Sequence, residues 1–333
     1  MVNNTDAMLR YQVFLEGYKE YQSARFNDIL VGLRASIKYN LAQIESANLG
    51  DVTKNNIEKI ISAIRLAQIA HYDVHAQQML LELQDFIVTN QDIHATIFDN
   101  DSSDEEQKKE LLLLFTPLSR KKLWSAIQLS VIPAYGASFE TILPNLSEVS
   151  GQLIKGKILQ FYAENQTVAA LVTALTGSTN LNGRDGIVNR LYTQARGATH
   201  TLIQQAATQS MLPVAQIYYD KYRWVSVIDG VTSKICRNRS DRVYAFGEGP
   251  LPPAHPNCRS HIEPHDKLSK PVPTSYYAWL KQQPRKVQEA IVGMNAAKDL
   301  SLGHKRSEDF SRFTAKYPLD LKQLKKKIIL ITQ

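Results

Sequence analysis

Four side chains of this sequence have the types and spacing of a metal site. Cys236, His255, Cys258 and His261 read C-x18-H-x2-C-x2-H, and they include both cysteines of the chain. Thiolate sulfur and imidazole nitrogen are the usual donors to structural zinc, and four of them close a tetrahedral shell. The two-residue gaps place His255, Cys258 and His261 on one tight knuckle. Pro252, Pro253 and Pro256 fix φ there, so less entropy is lost when the ligands converge. Asn257 tolerates the turn that such a knuckle needs. Two other states are open to the thiols. They can be buried and free, since a free cysteine behaves as a small hydrophobe. A disulfide is disfavoured in a chain kept reduced in a cytoplasm. His265 is a substitute ligand on paper, but a solvated loop histidine is the simpler reading.

The segment before the knuckle must position Cys236. Trp224–Ile228 alternates apolar and small residues and predicts a short strand. Residues 242–246, RVYAF, predict a second. Asp229 and Gly230 make a turn between them. Thr232 or Ser233 caps a helical turn carrying Cys236. Asp229 and Thr232 form a local pair bonded to nearby backbone. A catalytic aspartate is the sharper alternative, but no base or nucleophile is visibly paired with it.

These residues carry a family resemblance. Trp224, Asp229, Thr232, Cys236, Pro252, Pro253, His255, Cys258 and Arg259 form a pattern that resembles the phage head-morphogenesis (minor capsid) proteins typified by the F protein of phage Mu. Residues 277–284, YAWLKQQP, and 291–293, IVG, look like that family's later segments, with Val292 in place of its usual leucine. The likeness spans about Asn182 to Phe313. It implies a virion protein assembled in the host cytoplasm and present in few copies. The implied partners are the portal protein, capsid or scaffold proteins and double-stranded DNA. The implied role is in head assembly, DNA packaging or DNA ejection, with no established catalysis.

Charge separates the chain into two parts. The whole carries +7 over 333 residues. Residues 1–220 hold 18 Lys and Arg against 22 Asp and Glu, and residues 221–333 hold 21 against 10. The balance is therefore −4 before residue 221 and +11 after it. A basic excess in one domain is an electrostatic footprint for a polyanion, here duplex DNA without sequence preference. No apolar run approaches the roughly 18 residues that suggest a transmembrane helix. The first residues, MVNNTDAMLRYQ, show no secretory signal.

The remaining elements follow from spacing. Residues 6–46 predict one or two helices, with Phe26, Ile29, Leu30, Leu33, Ile37, Leu41 and Ile44 on one face. Asn48–Asp51 stops them, and Thr53 caps a helix whose face is Ile57, Ile60, Ile61 and Ile64. A third helix is expected over about 68–89, with Leu80, Leu83 and Ile87 inward. Residues 98–106 read as an acidic solvated loop without the spacing of an EF-hand. Ser103 and Glu106 look like a capping box for a helix over 108–115. Pro117, Pro133 and Pro144 are expected to punctuate shorter helices. The stretch 176–183 lacks the lysine of a phosphate loop and reads as an interdomain linker. A long helix over 185–210 carries Ile187, Leu191, Ala195, Ala198, Leu202 and Ala206 on one face. Beyond the knuckle, Pro284 suits the first turn of a helix. Phe310 and Phe313 face inward from another. Residues 321–331 put Leu321, Leu324 and Ile328 opposite a lysine face.

The expected fold is mainly α with a small β-containing region: a helical domain over 1–180 and an α+β domain over 181–333 with a zinc knuckle. The leading function is that of a non-catalytic minor head protein. One alternative is a zinc-dependent HNH-like nuclease, since H-P-N-C-R-S-H has a superficial likeness to that motif, although no acidic metal cluster accompanies it. The other is a plain DNA-binding architectural protein.

Overall fold

A computed structural model describes residues 4–99, 119–265, 276–303, 320–324 and 326. In chain order the helices are α1 (Asn4–Ala24), α2 (Phe26–Ala42), α3 (Lys54–Asp99), α4 (Arg120–Leu129), α5 (Phe139–Ala163), α6 (Val168–Thr176), α7 (Ile187–Tyr218), α8 (Lys234–Arg239), α9 (Tyr276–Gln282), α10 (Arg285–Val292) and α11 (Met294–Leu302). The strands are β1 (Val131–Ile132), β2 (Ala137–Ser138), β3 (Lys221–Ser226), β4 (Val243–Ala245) and β5 (Ser260–His265). The protein is thus mainly helical with a small two-sheet region. No described helix is long and apolar enough to cross a membrane.

Two units emerge, each built from separated pieces of chain. One comprises residues 23–82 and 140–199; the other comprises 1–22, 83–139 and 200–333. A single cut near residue 180 does not separate them. The 176–183 turn lies inside the first of these units. Gly177 (φ 85°) and Gly183 (φ 75°) approach so closely there that a Cβ on Gly177 would meet the Gly183 backbone at 2.4 Å.

The first unit is helical. Leu30, Leu33, Ile37 and Leu41 on α2 form a buried face, because residues three and four apart share one side of a helix. They pack with Ile57 and Ile64 of α3, Ile154 and Ile158 of α5, Leu171 and Leu175 of α6, and Val188 and Leu191 of α7. Burying each such side chain contributes about 1.5–3 kcal/mol. Thr53 accepts from the Asn56 N–H at the start of α3. The expected break before residue 68 is absent: α3 runs unbroken for 46 residues. No proline or glycine interrupts that stretch. Pro144 lies inside α5 rather than ending a helix.

The second unit contains the sheets. β1 and β2 form an antiparallel hairpin whose turn holds Pro133. The larger sheet has the order β4–β3–β5, all antiparallel. β3 begins three residues earlier than expected, and β5 was not foreseen. Every residue of β3 after Lys221 is buried, so both faces are covered. Successive side chains of a strand alternate between faces. On one face Val225 joins Leu9 and Val13 of α1, Tyr276, Trp279 and Leu280 of α9, Ile291 of α10 and Leu300 of α11. On the other, Trp224 joins Cys236 and Cys258. The acidic loop expected from residue 98 does not start there, since Phe98 and Asp99 end α3; its remainder, the Ser103–Glu106 cap, Pro117, Phe310, Phe313 and most of the lysine tail lie outside the described residues.

Candidate metal centre

Each ligand is positioned by a separate device. Cys236 sits in the first turn of α8. Ser233 caps that helix, its Oγ accepting from the Cys236 N–H at 3.2 Å. Cys258 stands two residues before the start of β5, and its N–H donates to the His255 carbonyl at 3.1 Å, closing the knuckle. Asn257 has φ 59°, the left-handed conformation that asparagine accepts more readily than most residues. Its N–H donates to Thr201 Oγ1 on α7 at 3.1 Å. The His255 Nδ1 is 2.8 Å from the Pro256 carbonyl, so it carries the proton and Nε2 keeps the lone pair.

These devices bring three of the four expected donors together. Donor atoms of Cys236, His255 and Cys258 lie within 4.8 Å of one another, a group that can hold a metal ion. Cys236 Sγ stands 3.0 Å from His255 Nε2 and 3.7 Å from Cys258 Sγ. Both thiols are buried, and they are free rather than joined in a disulfide. Their acidities diverge. The Cys258 thiol is held well below the ordinary range by the hydrogen bond from Cys236, against the effect of burial, with His255 and the Ser260 backbone N–H adding to it. The Cys236 thiol is pushed up by that same bond and by burial. His255 is raised, chiefly by its contact with the Cys258 sulfur.

His261 does not join the group, and strand geometry gives the reason. It pairs with Val225 across β3 and β5, whereas Trp224, which packs on the cysteines, pairs with Ile262. Paired residues of an antiparallel ladder share a face, and neighbours along a strand do not. His261 therefore lies on the Val225 face, away from the sulfurs. Both of its ring nitrogens are buried without a hydrogen-bond partner among the described residues. Burial lowers its pKa to about 3, with the nearby cations Arg223 and Lys19 and the His94 ring further opposing its protonation. His265 ends the same strand, paired with Lys221.

A buried polar frame surrounds the group. Asp229 is fully buried and receives two hydrogen bonds from Arg259, Nη1 to Oδ2 at 2.5 Å and Nη2 to Oδ1 at 2.6 Å. Its Oδ1 also accepts from the Val231 N–H and from Thr232 Oγ1. Arg237 of α8 donates to the carbonyls of Asp229 and Thr232. The Asp229 turn thus ties α8, which carries Cys236, to the residue after Cys258. Ser226 Oγ accepts from the Trp224 indole N–H, donates to the Cys236 carbonyl and meets Ser260 Oγ, all at 2.9 Å. Arg239 lies over the Trp224 ring at 5.2 Å. Lys19, fully buried, donates to Glu16 and Gln204 at 2.6 Å and to the Cys258 carbonyl at 3.4 Å.

The local Asp229–Thr232 pair was legible in the sequence. Its salt bridge to Arg259 was not, because opposite charges so far apart along the chain carry no spacing signal. Lys19 left no signal either, standing on a helix that reads as ordinary. No protein-family model, no curated protein and no solved structure matches this chain. Chemically, the arrangement supplies two sulfur donors and one imidazole, in a frame whose buried carboxylate, Asp229, is already spent on an arginine.

Proposed function

We propose that Cys236, His255 and Cys258 bind one zinc ion that braces the small sheet of a non-catalytic phage minor head protein. The distances support zinc. Two sulfurs, each about 2.3 Å from a tetrahedral zinc, lie about 3.8 Å apart, close to the 3.7 Å between Cys236 and Cys258. The imidazole would back away from Cys236 by about half an ångström to reach a zinc–nitrogen bond of about 2.0 Å. The Nδ1 hydrogen bond of His255 to a backbone carbonyl is the outer-shell contact that zinc-bound histidines use.

The observation that carries the wider reading is convergence. Seven of the nine residues of the phage resemblance, Trp224, Asp229, Thr232, Cys236, His255, Cys258 and Arg259, meet in one largely buried constellation. That a pattern spread from Trp224 to Arg259 closes on itself supports reading it as a structural motif. The basic balance of residues 221–333 supports proximity to double-stranded DNA. In this reading the protein joins the portal, with capsid or scaffold proteins nearby, to the DNA within the virion, after assembly in the host cytoplasm. Its role lies in head assembly, packaging or ejection.

The deciding experiment is whether the protein co-purifies with the portal from mature particles. Its absence from particles, with normal infectivity when its gene is deleted, refutes the reading. The nuclease alternative is separated by replacing His255 with Cys. A bracing zinc accepts that ligand exchange, whereas a water-activating histidine does not. A magnesium- or zinc-dependent DNA cleavage that vanishes with zinc still bound would favour the enzyme.

A further inference from the structure

A tetrahedral zinc takes four ligands, and the group supplies three. We infer that the fourth position is filled by an exogenous monodentate donor, water exchangeable for a small thiol or an imidazole, and not by a side chain among the described residues. The inference rests on the zinc reading above and concerns what that ion can bind.

The candidates within the described residues are each committed elsewhere. His261 belongs to the opposite face of β5, and bringing it round requires slipping a buried strand by one residue, which turns every side chain of that strand over. His265 is on that same wrong face. It is also farther along the strand from Ser260, by about 17 Å at the rise of a β-strand. The Asp229 carboxylate holds Arg259 with both oxygens. The hydroxyls of Ser233 and Ser260 hydrogen-bond to the Cys236 sulfur. Neutral hydroxyls are not among the usual zinc donors, but they can hydrogen-bond a ligand that binds there.

The surroundings also decide the side of entry and the class of ligand. Both sulfurs are buried, while His255 is half-buried and its neighbours Pro256 and Asn257 are exposed. An incoming donor therefore approaches from the knuckle side. The knuckle is braced by Asn257 to Thr201, His255 to Pro256 and Lys19 to the Cys258 carbonyl, which holds the three donors near their places and leaves the fourth position to another donor. A two-sulfur, one-nitrogen site favours soft donors, which ranks a thiolate first and an imidazole second.

The test uses the full chain with cobalt(II) in place of zinc. Thiolate-to-cobalt charge-transfer bands report the two cysteines, and the visible ligand-field bands report the donor set. The probes are 2-mercaptoethanol and imidazole. The expected result is a saturable change of the ligand-field bands with either probe. With the thiol, charge-transfer intensity should also rise by about half, as two thiolates become three. His261→Gln should leave metal content and the titration unchanged. Ligand-field bands that neither probe moves would show that the chain closes the shell itself and would overturn the inference, leaving the zinc reading intact. Loss of cobalt to the probe, seen by elemental analysis after desalting, would overturn it as well. A protein with no thiolate–cobalt charge transfer at all would remove the zinc reading and this inference together.

Discussion

Replacing Arg259 with methionine should be among the most destabilising single changes in the sheet-containing unit. The substitution keeps much of the side chain's length and removes its charge. It leaves in place the contacts of the fully buried Asp229 carboxylate with Val231 N–H and Thr232 Oγ1, and takes away two short charge-assisted bonds of 2.5 and 2.6 Å. Arg259 is only 9% exposed in its side chain, so solvent screens the pair little. Breaking a buried pair by removing one partner costs about 3–5 kcal/mol. That is a large share of the roughly 5–15 kcal/mol of a whole domain. Equilibrium urea unfolding followed by tryptophan fluorescence reads it, since Trp224 is buried beside the same frame. Asp229→Asn should cost a similar amount, and the double variant should fall short of the sum of the singles by about 2 kcal/mol or more. A loss under about 1 kcal/mol with additive singles would refute the claim that this ion pair clamps the two cysteine-bearing segments.

Cys258→Ser should lower zinc content from about one ion per chain to near zero by elemental analysis, and chelation of the wild type should reduce its thermal midpoint; a metal-free wild type of unchanged stability would count against the site. His75, His94 and His261 are held neutral chiefly by burial, with pKa values of about 4, 4 and 3 against an ordinary value of 6.5. The unfolded chain binds protons first, so stability should be full above about pH 6.5 and fall as the pH drops toward 4, with His261→Gln flattening the slope; a profile flat over that window argues against neutral buried rings. Binding of the full chain to duplex DNA should weaken steeply with added salt as phosphate contacts release counterions, and binding indifferent to salt would contradict an electrostatic footprint.

Helices were legible where one apolar face repeats without competition. Phe26, Leu30, Leu33, Ile37 and Leu41 announced α2 by spacing alone, and all five are buried. Such spacing says where a face lies but not where a helix ends, and α3 runs straight through the expected gap before residue 68. β5 escaped because residues 260–265, SHIEPH, hold one aliphatic side chain among mostly polar or charged ones. Two of them, Glu263 and Ser260, are buried with partners from distant segments, Arg223 and Ser226. That missed strand also explains His261. Its two-residue gap from Cys258 reads as a knuckle until a strand begins at Ser260 and alternation carries the ring to the other side. Domain limits were least legible, since the pieces that pack together are not neighbours in sequence.

The interleaving of the two units sets a timetable for synthesis. The helical unit is complete once residue 199 has been made. The other unit begins with residue 1, yet Leu9 and Val13 pack against Val225, Trp279 and Leu280. Ribosomes add about 5–20 residues per second, so the stretch from Leu9 to Trp279 takes tens of seconds to appear. Within that interval Leu9 and Val13 wait first for Val225 and then for Trp279 and Leu280, and the cysteines can meet only once Cys258 has been made. The unit that holds Leu9 and the candidate metal group is thus completed late along the chain, so nascent chains released before Cys258 would present Leu9 and Val13 without Trp279 and Leu280, and an incomplete candidate group.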